Sequence, residues 1–180
     1  MIPTLIDYFP KRRTKRPDWL HTTQVDELAS VSTCIATGPD GWMEHWRHNE
    51  LWVYDRPEIA WSVVPAENRP EFDLYAYHMF PLQIDDHDEE PFSIPQLSVE
   101  PMTTEFKRLG YDIVSRTAQT SFECSPLSCN RMAEHIPTNQ YCLLDDCETA
   151  LNLAKTFDGE GCEPGPYFIT EVWRHTPNAV

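Results

Sequence analysis

The hydrophobic pattern is clearest over Asn49–Val64, where it predicts a short strand that leads into a capped helix. Leu51–Tyr54 is a run of large, partly aromatic residues of the kind that strands favour. Asp55 and Glu58 stand three positions apart, as in a capping box, where each side chain satisfies backbone donors of the first turn. Pro57 fits that first turn, because its missing N–H is no loss there.

A similar pattern recurs ninety positions later, over Asn139–Ala154. Asp145 takes the place of Asp55, and Glu148 that of Glu58. At this offset of ninety, positions 44–60 and 134–150 share six identical residues. Either an internal duplication or two similar strand–helix units of separate origin explains the match, and both explanations stay open.

The remaining pattern alternates between short strands and short helices, which is typical of an α+β arrangement. Period-two alternation predicts strands over Phe72–Ile84, Tyr111–Val114 and Tyr167–Trp173. Helices are expected from near Val25, with Thr23 as the cap, and over Met102–Leu109 before Gly110. Ile2–Phe9 reads as a short strand or an extended arm. We therefore expect one α+β domain over 1–180, with 1–17 as a candidate arm that carries a basic cluster.

Composition supports a folded chain of 180 residues, because 41% of the positions are hydrophobic and six are tryptophan. Sixteen prolines against six glycines predict many extended connections and few long helices. The segment Met1–Pro10 lacks the basic and apolar regions of a signal peptide, and no apolar run is long enough to span a bilayer. We expect a protein that lies in the cytoplasm and does not contact membranes.

The charge is polarised along the chain. Five of the fourteen basic residues lie within six positions: Lys11, Arg12, Arg13, Lys15 and Arg16. Beyond Arg16 the chain has nine basic and 28 acidic residues, a balance of 9 − 28 = −19. Direct nucleic-acid binding is therefore not expected except through the basic cluster, which is either a solvated turn or a patch for an anionic ligand.

A second group of positions suits a basic partner. Aromatic and acidic residues are concentrated in two stretches, at Trp42, Trp46, Asp85, Asp86, Asp88, Glu89 and Glu90. Carboxylates steer the encounter with a basic surface, and tryptophans anchor the complex. An alternative function is therefore a non-catalytic, acidic protein-binding module of the immunity, inhibitor or nucleic-acid-mimic type.

Two cysteine pairs share a spacing of five positions: Cys124 with Cys129, and Cys142 with Cys147. Together with His135 they could form a tetrahedral metal site, although four intervening residues is the loose end of the usual range. Cys142 lies in a predicted strand and Cys147 on the apolar face of a predicted helix, which suits buried core thiols. We assign no metal ligand, and a thiolate metal-binding domain is the third interpretation. A cysteine nucleophile with His135 as its base has no supporting local signature.

The six cysteines as a whole suit reduced thiols or metal ligands more than a disulfide framework, because the expected compartment is reducing. Cys34 and Cys162 lie apart from the two pairs.

Three stretches resemble the opening half of the ADP-ribosyltransferase superfamily, in its small histidine–tyrosine branch. Leu20-His21-Thr22-Thr23 is similar to the first strand, which ends in a histidine followed by a short polar residue. Val25 to Gly38 is similar to the small helix and glycine turn that come next in the family. Val53-Tyr54-Asp55 is similar to the second strand, which ends in an aromatic residue ahead of a short helix.

The resemblance implies an enzyme that binds NAD and cleaves its nicotinamide–ribose bond. It implies that His21 and the adjacent Thr22 hold the adenosine-side ribose and that Tyr54 stacks on nicotinamide, as a flat cationic ring requires. Thr22 stands where the family usually has glycine. The family also has a late glutamate that stabilises the oxocarbenium-like state. Glu123 is the candidate for that role, and Glu171 is the runner-up.

Overall fold

The computed structural model describes residues 5–32, 34–35, 38–40, 53–84, 102–116, 122, 124–157 and 165–176. Six strands and two α-helices occupy these residues. In chain order they are β1 (Leu5–Lys11), β2 (Thr14–Lys15), β3 (Glu27–Leu28), α1 (Pro57–Ser62), β4 (Asp73–Ile84), β5 (Phe106–Ser115), α2 (Cys147–Ala154) and β6 (Tyr167–His175). Two 3-10 helices, Ala66–Glu71 and Met132–Glu134, complete the set. This composition confirms the predicted α+β fold.

The main sheet has four strands in the order β1-β4-β6-β5, and every neighbouring pair is antiparallel. Strands β4 and β6 are central, and β1 and β5 are the outer strands of the described sheet. A separate two-stranded sheet joins β2 to β3. Strands predicted from alternation at Phe72–Ile84 and Tyr167–Trp173 are confirmed as β4 and β6. Each has buried side chains on both faces, over 74–80 in β4 and over 167–170 in β6.

Two clusters of buried side chains cover the two faces of the sheet. Alternation along β4 sends Tyr75, Tyr77 and Met79 into the first cluster, whereas Phe80 contributes to the second. Along β6, Phe168 belongs to the first cluster and Ile169 to the second. The sheet therefore lies between two hydrophobic layers, as a central sheet of an α+β domain must.

The helix predicted over Met102–Leu109 is wrong, because Phe106 to Leu109 already belong to β5. Phe106 pairs with His175 of β6, and a bulge interrupts the pairing between Arg108 and Gly110. Gly110 has φ +150°, and a Cβ there would lie 2.6 Å from the carbonyl oxygen of Leu144. The glycine thus permits a close backbone approach inside a strand and does not end a helix.

The helix predicted from near Val25 is also wrong. Only Glu27–Leu28 is regular, as β3, and the flanking residues are extended. Backbone N–H groups in this segment donate to another loop: Asp26 N to Gln140 O at 2.9 Å and Ala29 N to Tyr141 O at 3.1 Å. Because these donors have partners elsewhere in the chain, the local helical pattern does not decide the conformation.

Both helices begin one residue later than predicted, and neither has the predicted capping box. Helix α1 has Arg56 as its N-cap, with no side-chain cap hydrogen bond, although Pro57 does occupy the first turn as predicted. Helix α2 has Asp146 as its N-cap, and its carboxylate accepts from Thr149 N at 2.7 Å. The prediction that Asp55 and Asp145 cap these helices is therefore wrong.

The described residues ahead of the two helices, from Val53 and from Asn139, form no named strand, but each segment contacts an outer strand of the sheet. Tyr8 N of β1 donates to Tyr54 O at 2.8 Å. Tyr111 of β5 and Leu144 exchange both backbone hydrogen bonds, at 2.8 and 2.9 Å. The two similar segments thus lie against opposite edges of the sheet. Whether they share a common origin stays open.

The N-terminal basic cluster is largely engaged with the domain. Residues 5–11 form strand β1, so the strand alternative describes them better than the arm. Lys11 is fully buried, Arg12 pairs with Glu71 at 3.0 Å, and Arg13 pairs with Asp73. Within the described residues, no helix is long and apolar enough to cross a membrane.

Candidate functional site

Of the residues expected to hold NAD, Tyr54 belongs to the first core cluster, whereas His21 and Thr22 belong to neither cluster. His21 is exposed, and its backbone N–H donates to Glu134 Oε1 at 2.8 Å. Its neighbour Leu20 is fully buried in the second cluster. Thr22 is half-buried, and its hydroxyl accepts from Gln24 N at 3.4 Å in a local turn.

Tyr54 is fully buried in the first cluster and stacks on Phe9, with ring centroids 6.4 Å apart. Its backbone N–H donates to the buried carboxylate of Asp7 at 2.8 Å. The stacked ring thus packs β1 against the segment ahead of α1, and the backbone hydrogen bond joins the same two elements. Its proposed contact with nicotinamide stays a prediction.

Glu123, the candidate catalytic glutamate, lies outside the described residues, as do Trp42, Trp46 and the acidic run from Asp85 to Glu90. Glu171, the runner-up, lies on β6 beside two polar side chains. It accepts a hydrogen bond from Tyr111 Oη at 2.9 Å, and its other oxygen lies 3.8 Å from His78 Nδ1. Burial lowers the pKa of His78 to about 4, so this imidazole is neutral at physiological pH.

The structure brings together three thiols from two segments that are ninety residues apart in the sequence. The Sγ atoms of Cys34, Cys124 and Cys129 all lie within 4.8 Å of one another, and we call this group the thiol cluster. Within the part of the chain that the structure describes, it is the one set of three His, Cys, Asp or Glu side chains whose ligand atoms meet this closely. None of the five described cysteines forms a disulfide.

Two tight turns present the sulfur atoms. After Cys124, Ser125 O accepts from Cys129 N at 2.8 Å and from Ser128 N at 3.2 Å, which folds the chain back so that both sulfurs face one point. On the other segment, Ser32 O accepts from Ile35 N at 3.1 Å, which closes a turn around Cys34. Each turn therefore fixes its cysteine by backbone hydrogen bonds.

A buried carboxylate ties the first turn to the sheet. Asp112 of β5 is fully buried, and its Oδ1 accepts from Ser125 Oγ at 2.6 Å and from Ile113 N at 2.9 Å. The Ser30 hydroxyl lies near the same carboxyl group and helps to lower its pKa against the larger effect of burial. Since Ser125 precedes Cys129 and Ser30 precedes Cys34, one carboxyl group lies beside both cysteine-bearing segments.

Lys11, at the end of β1, holds the segment that leads to Cys34. Its ammonium donates to Leu28 O at 3.0 Å and to Ser30 O at 2.9 Å, and it lies 5.2 Å from the ring centroid of Tyr75. Burial lowers the pKa of Lys11 to about 8. The segment that leads to Cys34 is thus fixed at the carbonyl of Ser30 by Lys11, and the Ser30 hydroxyl lies near Asp112.

The surroundings of the cluster favour a thiolate at Cys129. Hydrogen bonds from Cys124 above all, and from Ser32 and Ser128, lower the pKa of Cys129 to about 5 against the opposing effect of burial. The Oγ of Ser32 lies 3.1 Å from its sulfur. Burial, followed by the charge on Cys129, raises the pKa of Cys34. Negative charge is therefore concentrated on one sulfur of the three.

The second sequence pair does not join the cluster. Cys142 is 1% exposed within the second core cluster, and burial raises its pKa. Cys147 begins α2 and packs half-buried against the same cluster, as the predicted apolar stripe implied. His135 is exposed after the 3-10 helix and is not part of the group. The tetrahedral set that combines both pairs with His135 is therefore not formed.

Sequence reasoning missed Cys34 as the third member. Its position ninety residues before Cys124 gives no spacing signal, because the two segments meet only after β1 and β5 enter one sheet. Asp112 gave a weak signal, as a charged residue between Tyr111 and Ile113 in a predicted strand. Comparison of the chain with protein-family models, curated proteins and solved structures finds no match, so a function has to be inferred from the geometry of the described residues.

Proposed function

We propose that this protein binds a zinc ion through Cys34, Cys124 and Cys129. The observation that carries the proposal is the convergence of three sulfur atoms, within 4.8 Å of one another, from two segments that are ninety residues apart. Thiolates are soft ligands, and sites rich in them select zinc or copper(I) among the metals of the cell.

The spacing of the sulfur atoms suits such an ion. A zinc–sulfur bond of about 2.3 Å in tetrahedral geometry puts sulfur atoms about 3.8 Å apart. Separations of up to 4.8 Å reach that value by small side-chain rotations, without a change in either turn. Cys34 is exposed, so solvent reaches one side of the cluster. Three protein ligands with an exchangeable fourth position characterise catalytic and substrate-binding zinc sites more than closed structural ones.

The supporting residues act as an outer shell. Asp112 and Lys11 fix Ser30 and Ser125 by hydrogen bonds to the sheet, which limits the freedom of both cysteine-bearing turns. Outer-shell partners of this kind orient the ligands and raise metal affinity. Because the ligands are preoriented, binding requires less ordering of the chain than in a site that forms only on metal addition.

Cobalt(II) substitution tests the proposal. The chain is purified under reducing conditions, treated with a chelator and titrated with Co²⁺, whose thiolate charge-transfer and ligand-field absorption report sulfur ligands and tetrahedral geometry. We expect saturation at one equivalent and displacement by Zn²⁺. Cys129→Ser should remove most of the charge-transfer absorption, because it removes a ligand. Cys147→Ser is the matched control and should leave the titration unchanged.

Two results would overturn the proposal. One is a titration without charge-transfer absorption, and the other is an equal response in Cys129→Ser and the wild type. Displacement by copper(I) but not by Zn²⁺ would also reject zinc as the ion. Circular dichroism of each variant without metal confirms that a lost signal reports a lost ligand and not an unfolded chain.

A further inference from the structure

A cavity lies away from the thiol cluster, between β1, α1 and the ends of β5 and β6. Its volume is about 280 Å³. Ligand pockets usually measure about 300–1,000 Å³, so this one matches a small head group and not a dinucleotide. Four aromatic side chains and two carboxylates contribute to its wall, and we call it the aromatic cavity: Tyr8, Trp61, Phe106, His175, Glu58 and Glu105.

The aromatic rings stand at steep angles to one another. Tyr8 and Phe106 have centroids 6.1 Å apart and an interplanar angle of 64°, and Phe106 and His175 are 5.2 Å apart at 65°. All four aromatic residues of the cavity are half-buried, so part of each is accessible. These edge-to-face contacts fix the orientation of the rings in the wall of the cavity. A ring face that is turned towards the cavity attracts a cation there.

The charged groups of the cavity have one sign. Among its ten lining residues, two are acidic and none is lysine or arginine. Burial first, and the charge of Glu58 second, raise the pKa of Tyr8, which is consistent with a negative potential on that side. Glu105 lies at the other side, 3.7 Å from His175 Nε2. Two carboxylates beside aromatic walls favour a cationic occupant over a neutral one.

We propose that the aromatic cavity binds a methylated ammonium group. Methyl groups contact ring faces, and they spread the positive charge so that less hydration is lost on entry than for a primary ammonium. The size of the cavity limits the occupant to the head group itself. The same chemistry occurs in a free choline-like molecule and in a methylated lysine of a basic protein. The two sources differ in the chain to which the head group is attached.

A pair of isosteres tests the charge requirement. Choline and 3,3-dimethylbutan-1-ol have nearly the same shape, but only choline carries a positive charge. We expect calorimetric titration to show saturable choline binding. The affinity for the alcohol should be lower by a factor of about ten or more. Equal binding of the two compounds would show a merely apolar cleft and overturn the proposal. The absence of heat both with choline and with a trimethyllysine peptide would overturn it as well.

Variants and a second ligand locate the site and distinguish the sources. Glu58→Gln and Glu105→Gln each remove one carboxylate, and each should weaken choline binding several-fold. Glu67→Gln is the matched control, because Glu67 is an exposed helical glutamate that does not line the cavity. Equal affinity in all three variants would place the binding elsewhere and reject the cavity. Tighter binding of the trimethyllysine peptide than of choline would identify a protein partner as the source, and the reverse order a small molecule. These titrations use metal-free protein, so they do not depend on the zinc proposal.

Discussion

Cys124 and Cys129 have the same spacing as Cys142 and Cys147, but the two pairs have opposite surroundings. The first pair lies in a turn with several hydrogen-bond donors, and Cys129 Sγ is within 3.1 Å of Ser32 Oγ. The second pair packs among apolar side chains of the second core cluster. Burial raises the pKa of Cys142 and of Cys147, whereas donors lower that of Cys129.

This difference shows that the elements around a thiol, and not its sequence spacing, decide its chemistry. The first pair is held at Ser125 by the buried carboxylate of Asp112, which also reaches the segment of Cys34. The second pair has its geometry from helix α2 and from a loop residue, Cys142, with φ +61°. One arrangement positions sulfur for a ligand, and the other uses sulfur as a small apolar group.

The largest effect is expected from Asp112, which holds the turn of the first pair through Ser125. Its ionisation should make the free energy of unfolding depend on pH. Burial raises its pKa from 3.8 in the unfolded chain to about 7 in the folded protein. Between these values the folded state binds more protons, so stability falls as pH rises and the loss is complete above about pH 7. The shift corresponds to a loss of about 4 kcal/mol. Asp112→Asn keeps the acceptor for Ser125 but cannot ionise, so this loss should disappear.

The measurement is denaturant unfolding of wild type and Asp112→Asn across the pH range between these two pKa values. The difference between their free energies of unfolding at each pH is the quantity to monitor. His78 acts in the opposite direction, because its pKa is lowered to about 4 and its contribution is lost as pH falls from 6.5. It is present in both proteins and cancels in the difference. Parallel curves for wild type and Asp112→Asn would show that Asp112 ionises as readily in the fold as in water.

A smaller effect is expected when each fully buried thiol becomes a hydroxyl. Cys142→Ser places a hydroxyl among apolar side chains and should lower the free energy of unfolding by about 2 kcal/mol. Cys124 is also buried, but its sulfur lies 3.7 Å from Asn130 Oδ1, so a hydroxyl at this position has a polar partner. Cys124→Ser should therefore lower it by less, about 1 kcal/mol. Chemical denaturation of metal-free protein compares the two variants directly, and a larger loss in Cys124→Ser would contradict the comparison.

The sequence could predict the parts of this fold that local pattern decides. Alternation identified β4 and β6, and the apolar stripe with Cys147 identified α2 to within one residue of its start. Met102–Leu109 was misread because its residue pattern suits a helix equally well. Pairing of Phe106 with His175, about seventy positions away, decides for a strand.

The candidate site was predictable only in part, for the same reason. The spacing of Cys124 and Cys129 marked both as metal candidates, but it marked Cys142 and Cys147 equally. Two facts of tertiary structure distinguish them: a carboxylate on β5 beneath Ser125, and a third thiol on a segment held by a buried lysine. Neither leaves a local pattern, since each depends on which strands share the sheet.

The smallest effect concerns the reactivity of two half-buried thiols, Cys129 and Cys147. At about pH 6 a thiol with the lowered pKa of Cys129 is mostly thiolate, whereas an ordinary cysteine is about 0.3% ionised. The weaker nucleophilicity of a low-pKa thiolate offsets much of that advantage, which leaves a rate ratio of about ten. Iodoacetamide labelling of metal-free protein, with peptide mass spectrometry as the readout, measures the ratio. It should fall below one at alkaline pH, where both thiols are ionised and the thiolate of Cys147 is the stronger nucleophile. A ratio near one already at pH 6 would mean that the donors around Cys129 do not distinguish the pairs.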